Sequence, residues 1–143
     1  MAAALAGAEH DLKVLIVEKS AYVGGSTARS GGALWLPASP ILDENDADDT
    51  MPRASAYLES VVAGTAPQQR SMEFLAHLRE TVEMLRRTTP LRFMWARDYS
   101  DYHPEHPGGT AAGRTCECKP FNASVLGQHR SRLRGHRQNR PPA

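Results

Sequence analysis

The sequence has little cysteine, no long apolar run and almost no net charge, and each shortage excludes something. Two cysteines, Cys116 and Cys118, are too few for a stapled secreted scaffold, so a reducing cytoplasm is the expected compartment. No apolar stretch approaches the roughly 20 residues that a membrane helix needs. The start, Met1 to Ala8, is too short and too poor in large apolar side chains for a signal peptide. A net charge of +1 hides an uneven distribution: Gln128 to Ala143 holds five arginines and no acid, which leaves −4 on the remainder. With 143 residues, 41% of them hydrophobic, the chain can build one domain with a modest core.

What is present is organised around Leu12 to Leu36, LKVLIVEKSAYVGGSTARSGGALWL. The apolar run Val14 to Val17 is short and β-branched, and predicts a strand buried on both faces of a parallel sheet. It ends on Glu18, placed as the acid of dinucleotide folds is, where a carboxylate can accept hydrogen bonds from both ribose hydroxyls. Lys19 follows it, a charge that also reads as solvated. Two glycine pairs come next, Gly24-Gly25 and Gly31-Gly32, with Ser26, Thr27 and Ser30 among them. Glycines let backbone amides approach a ligand, and neighbouring hydroxyls add donors for phosphate oxygens.

The run VEKSAYVGGSTARSGGALWLP resembles the signature of the flavoprotein family that contains fumarate reductase and the 3-ketosteroid dehydrogenases, and it is closest to the steroid branch. The resemblance implies FAD as cofactor. It places Glu18 on the ribose, with Lys19 beside it, and sets Gly24, Gly25, Ser26, Thr27, Ser30, Gly31 and Gly32 along the phosphates and flavin. It also implies an α/β fold. Ala2 to Ala8 predicts a tightly packed helix, but the strand and G-x-G-x-x-G turn that should precede it in a Rossmann unit do not occur in the sequence. The expected architecture is therefore an incomplete Rossmann-like FAD-binding domain with a helical insertion and an irregular or disordered tail.

Further along, Pro37 and Pro40 interrupt regular structure, and Asp43 to Asp49 reads as a solvated acidic linker without the glycine and terminal glutamate of a calcium loop. Thr50 is a candidate cap for a helix carrying Ala54, Tyr57, Leu58, Val61 and Val62 on one face, stopped by Gly64. A second helix is predicted from Pro67 to Arg87, with Met72, Leu75, Leu78, Val82 and Leu85 as its core stripe. Leu91 to Ala96 alternates as a half-buried strand does. These signals divide the chain into 1–42 (partial cofactor segment), 43–96 (helices and strand), 97–127 (functional loops) and 128–143 (basic tail).

The segments TPLRFMWARDYSDYHPEHPGG, AAGRTCECKPF and NASVLG also resemble the 3-ketosteroid Δ1-dehydrogenases. In that family the second tyrosine of Y-S-D-Y lines the active site and supports another tyrosine that acts as the base; Tyr102 is the residue that matches. The implied reaction is 1,2-dehydrogenation of a 3-ketosteroid: a tyrosine base removes the proton next to the ketone while hydride passes to flavin N5. Arg114 matches a G-R pair and is expected to close a loop. His103, His106, Cys116 and Cys118 form an H-x-x-H…C-x-C set, but the prolines deny the histidines a helical face and C-x-C lacks the usual spacer, so no metal site is expected. The tail departs from the family and is expected to be disordered, as from a lost reading frame, with nucleic acid not expected as a partner despite its arginines. By content the chain reads as an N-terminal fragment, without turnover of its own and with FAD binding weak or absent. The alternatives are a fumarate-reductase-like relative, which the Y-S-D-Y loop disfavours, and a non-enzymatic fragment that binds nucleic acid or a partner through its tail.

Overall fold

The computed structural model describes residues 1–134. The chain divides into two compact units, residues 3–32 with the chain from 120 onward, and residues 33–119. Helix α1 (Ala2–Glu9) opens the first unit and fits the small side chains there. A 3-10 turn, Thr27–Arg29, follows the first glycine pair, and a second 3-10 segment, Ala123–Arg132, bends at Gly127. Val23 bridges Leu133 in parallel. Residues Gln128 to Arg132 thus have assigned structure, while the part of the expected disordered tail from residue 135 on lies outside the described residues.

The strand expected at Val14 to Val17 is not formed. Leu15 and Val17 are each 84% exposed, and Val14 and Ile16 are exposed as well. The reason is physical: a β-branched run becomes a strand only when neighbours accept its backbone hydrogen bonds, and none of the described strands lies beside it.

The second unit holds the buried core. Strand β1 (Leu34–Trp35) leads through Pro37 to α2 (Pro40–Asp43), where Pro40 occupies the first turn, a position that needs no N–H. Helix α3 (Met51–Val62) begins at Thr50, whose hydroxyl accepts the Arg53 N–H, and ends in left-handed Ala63 ahead of Gly64. Helix α4 (Gln68–Thr88) follows Pro67. Its buried stripe is Leu75, Leu78, Val82 and Met84, whereas Met72 is 59% exposed, so the core contact begins one turn later than expected. Strand β2 (Phe93–Trp95) and β3 (Thr115–Cys118) complete an antiparallel sheet in the order β1-β3-β2, in place of the parallel sheet expected. Leu34 faces Cys116 on one side of β3 and Phe93 faces Cys118 on the other. Leu36, Ile41, Leu42, Leu78, Val82, Phe93 and Cys116 form the core cluster between sheet and helices.

Cys116 sits at the centre of that cluster, and burial pushes its thiol up to about 11. A raised folded value favours the protonated, folded form. The contribution is complete below the unfolded thiol value near 9 and is lost as the pH climbs from there toward 11. At pH 8, iodoacetamide is expected to modify half-buried Cys118 first and Cys116 only on unfolding. Mass spectrometry after a short pulse checks this, and Cys116 labelled first would contradict it.

Candidate functional site

The cofactor-side residues named from the sequence all lie in the first unit. Glu18 and Lys19 are exposed. The Glu18 carboxylate accepts the Ser20 N–H at 2.9 Å, and hydrogen bonds from Ser20 hold its carboxyl below the ordinary range, so it is an ionised acceptor. The Ser20 hydroxyl accepts Arg134 Nη2 at 3.0 Å. Arg134 in turn borders an open cleft of about 220 Å³ with Gly25, Ser26 and Arg29. A chain of contacts therefore runs from Glu18 to the first glycine pair. Exposed Ser30 is engaged locally, its hydroxyl accepting the Gly32 N–H at 3.1 Å.

Three observations bear on whether these residues fit a dinucleotide. Buried Arg134 Nε has no hydrogen-bond partner, an unpaired donor on a residue that lines the cleft. A Cβ at Gly25, Gly31 or Gly32 would meet nothing within 4 Å, which leaves room for a ligand against the backbone. Gly25 also needs its φ of +52°, a value that side chains disfavour. The set fits a phosphate-bearing group. Arg29 and Arg134 were missed by sequence reasoning, the first as an isolated charge and the second as part of a tail set aside.

Tyr102 lies in the second unit, on the β2–β3 connection. Its ladder continues past the strands through Ala96 N to Thr115 O, Asp98 N to Ala112 O and Asp101 N to Thr110 O. Glycines permit three close approaches in this connection, at Gly108, Gly109 and Gly113. A Cβ at Gly113 would stand 1.7 Å from the Tyr99 carbonyl oxygen, and one at Gly108 would stand 2.2 Å from that of Arg53.

Arg114 anchors the loop. It is fully buried, and its guanidinium pairs with Asp49 at 2.8 Å, with buried Asp101, and with the Gly108 carbonyl at 2.6 Å. Expected as a loop-closing residue, it has that role. Asp49 corrects the reading of the acidic run as a solvated linker: its side chain is 3% exposed, and its second oxygen accepts the Ala38 N–H. A run of acids looks solvated when the one cation that buries its last member lies 65 residues away. Asp43 and Glu44 also pair, with Arg79 and Arg86 of α4.

Asp101 accepts Trp35 Nε1 at 2.8 Å, and the Tyr57 hydroxyl accepts the His103 N–H at 3.2 Å. The loop is thereby fixed to β1 and α3. Between them opens a mostly apolar cleft of about 340 Å³, lined by Leu34, Trp35, Tyr57, Leu58, Val61 and Tyr99 and rimmed by Tyr102 and His103. Tyr102 is 87% exposed, with its phenol free to meet a ligand. Trp35, Tyr57 and Tyr99 were not singled out as site residues, although the crowding of scarce aromatics into Y-S-D-Y was a usable signal.

Comparisons with known proteins show the family. The profile of the FAD binding domain family matches residues 1–142. The chain is 40% identical over 127 residues to the 3-oxosteroid 1-dehydrogenase of Mycolicibacterium smegmatis, covering 89% of this chain and 22% of that protein. It is 32% identical over 130 residues to the 4-oxocyclohex-2-ene-1-carboxylate 5-dehydrogenase of Sinomonas cyclohexanicum, covering 91% and 22%. Among solved structures, the 3-ketosteroid Δ1-dehydrogenase of Sterolibacterium denitrificans in complex with 1,4-androstadiene-3,17-dione matches with a TM-score of 0.88 and 32% identity, over 94% of this chain and 24% of that one. The chain thus spans about a fifth of the length of these relatives. Among the described residues no helix is long and apolar enough to cross a membrane. Glycine-rich backbone, buried arginine anchor and aromatic cleft accordingly occur in a chain that belongs to the FAD-binding-domain flavoprotein family, alongside the 3-oxosteroid 1-dehydrogenases.

Proposed function

We propose that this chain is part of an FAD-dependent oxidoreductase that removes two hydrogens across C1 and C2 of a 3-ketosteroid. The observation that carries the reading is the apolar, aromatic-lined cleft with exposed Tyr102 at its rim, in a chain 40% identical to a steroid dehydrogenase. An apolar cleft with a few polar groups at its mouth suits a fused-ring ketone, whose carbon skeleton is buried while its oxygen stays near donors. A monocyclic keto acid is the second substrate class among the relatives, but the identity there is lower.

Bound FAD supplies the two-electron acceptor. For the chain's own residues, Glu18 would accept the ribose hydroxyls, and Gly25 and Ser26, with Arg29 and Arg134 beside them, would hold phosphate oxygens. Lys19, Gly24, Thr27, Ser30, Gly31 and Gly32 would complete the cofactor side. Tyr102 would hydrogen-bond the base that takes the proton next to the ketone. A phenol has an ordinary pKa near 10 and needs such a neighbour to stabilise its phenolate. Trp35, Tyr57 and Tyr99 would pack against the rings and exclude water.

The base, the ketone-binding donors and the strand and glycine turn ahead of α1 would come from the rest of a longer polypeptide. The exposed apolar run at residues 14–17 supports that division, since it presents backbone and side chains ready to pair. The chain alone is expected to bind FAD weakly or not at all and to turn nothing over. Absorbance near the flavin bands after purification with excess FAD checks this. A stoichiometric yellow chain would contradict it. Inserted in place of the matching segment of the Mycolicibacterium relative, the same residues are expected to yield a yellow protein that dehydrogenates a 3-ketosteroid. A folded, colourless hybrid would count against the reading.

A further inference from the structure

The turn after Tyr102 gathers three groups of a kind that bind metal ions. His103, Glu105 and His106 each offer one ligand atom, and these atoms all lie within 4.8 Å of one another. His103 Nδ1 is 3.4 Å from Glu105 Oε1, and His106 Nε2 is 4.0 Å from the same oxygen. Ligands bound tetrahedrally at about 2.0–2.1 Å stand roughly 3.3–3.4 Å apart. Of the three ligand pairs, the first already has that spacing, and the second at 4.0 Å must close by under 1 Å. The two histidine nitrogens, within 4.8 Å of each other, close by a turn of the rings.

The backbone holds them there. The His106 N–H donates to the His103 carbonyl at 3.1 Å, and the Gly109 N–H to the His106 carbonyl at 2.8 Å, closing a tight turn. A helical face is therefore unnecessary: Pro104 and Pro107, which argued against a metal in the sequence, stiffen the turn that brings the rings to 5.0 Å between centroids.

A second, independent feature lies outside the cluster. His106 Nδ1 is 3.3 Å from the Ser60 hydroxyl of α3. When one imidazole nitrogen is engaged by a protein group, the ring is oriented and the other nitrogen is presented to the ion, as in histidine metal sites generally. Here the nitrogen left over is Nε2, the one that faces Glu105. The Tyr57 hydroxyl, which accepts the His103 N–H, fixes the other end of the turn. Cys116 and Cys118 take no part: the former is buried in the core with its thiol held protonated.

We propose that His103 Nδ1, Glu105 Oε1 and His106 Nε2 form a three-ligand site for a first-row divalent cation of the zinc type, with the remaining coordination positions open to water. Two imidazoles and one carboxylate suit Zn²⁺, Co²⁺ or Ni²⁺ over Mg²⁺ or Ca²⁺, which take all-oxygen shells. The site lies at the rim of the aromatic cleft, of which His103 is part. An ion there would clamp the turn that carries Tyr102. The site stands whether or not the cleft takes a steroid.

The test is titration of the metal-free full chain with Zn²⁺ alone by calorimetry, repeated with Co²⁺ alone and read by its visible absorbance. One ion per chain is expected, with micromolar affinity. Glu105→Gln, at a side chain 67% exposed, keeps the fold and is expected to weaken binding by about tenfold. His103→Ala is expected to abolish it. His77→Ala, which removes the separate His77–Glu73 pair on α4, is expected to leave it unchanged. Absence of saturable binding below millimolar Zn²⁺, or equal affinity in the Glu105 and His103 variants, would overturn the proposal. So would binding lost in the His77 variant.

Discussion

Arg114→Met is expected to remove a large share of the stability of residues 33–119. The guanidinium is fully buried and satisfies three acceptors, the carboxylates of Asp49 and Asp101 and the Gly108 carbonyl. It also lies 5.8 Å and 5.5 Å from the ring centroids of Trp35 and Tyr57. Methionine matches much of the volume but leaves two carboxylates in the interior without a cation. Breaking a buried pair by removing one partner costs about 3–5 kcal/mol, and a small domain has only about 5–15 kcal/mol in all. Because Asp49 ends the acidic run and Asp101 belongs to the loop, the loss would release both from β1 and α3 together. Arg114→Lys should fall between: it restores the charge, but a single ammonium cannot span the three acceptors as a planar guanidinium does. Urea denaturation followed by far-UV circular dichroism reads the difference. A methionine variant with the parent's midpoint would show that the arginine does not organise this unit.

The helices were legible because their signals are local. Thr50, Gly64 and Pro67 mark ends, and the spacing of Leu75, Leu78 and Val82 needs no knowledge of what packs on them. Strand β2 was legible for the same reason, from the alternation around Phe93 and Trp95. Strand β3 was not, since Thr-Cys-Glu-Cys has little strand character and pairs only because Leu34 and Phe93 arrive on either side of it from distant parts of the chain. The opposite error occurred at Val14 to Val17, where strong local propensity met no neighbour. At the candidate site, Tyr102 was named through resemblance alone. The cleft needed Trp35 and Tyr57 to be brought to it by an ion pair between residues 65 apart, and periodicity carries no trace of such a contact.

The second large effect concerns Tyr102 and is read in the hybrid that carries this chain within the Mycolicibacterium relative. Tyr102→Phe removes one hydroxyl from a side chain that is already 87% exposed, so the fold has little reason to change. If the phenol supports the base, its loss raises the barrier to proton removal more than it weakens steroid binding. The signature is a fall in kcat with KM nearly constant. General acid–base catalysis is worth roughly 10²- to 10⁴-fold in rate, and loss of a hydrogen bond that supports the base is expected to remove about tenfold or more of that. Tyr99 lines the same cleft, and Tyr99→Phe serves as the comparison, because packing against the rings survives loss of its hydroxyl.

Steady-state dehydrogenation of a 3-ketosteroid by the yellow hybrid, with and without the Tyr102 hydroxyl, therefore tests most directly whether this cleft is half of a steroid-oxidising site. The predicted result is a tenfold or greater loss of kcat in Tyr102→Phe, with flavin content unchanged and Tyr99→Phe close to the parent. Equal turnover by the Tyr102 variant and the parent would contradict the assignment.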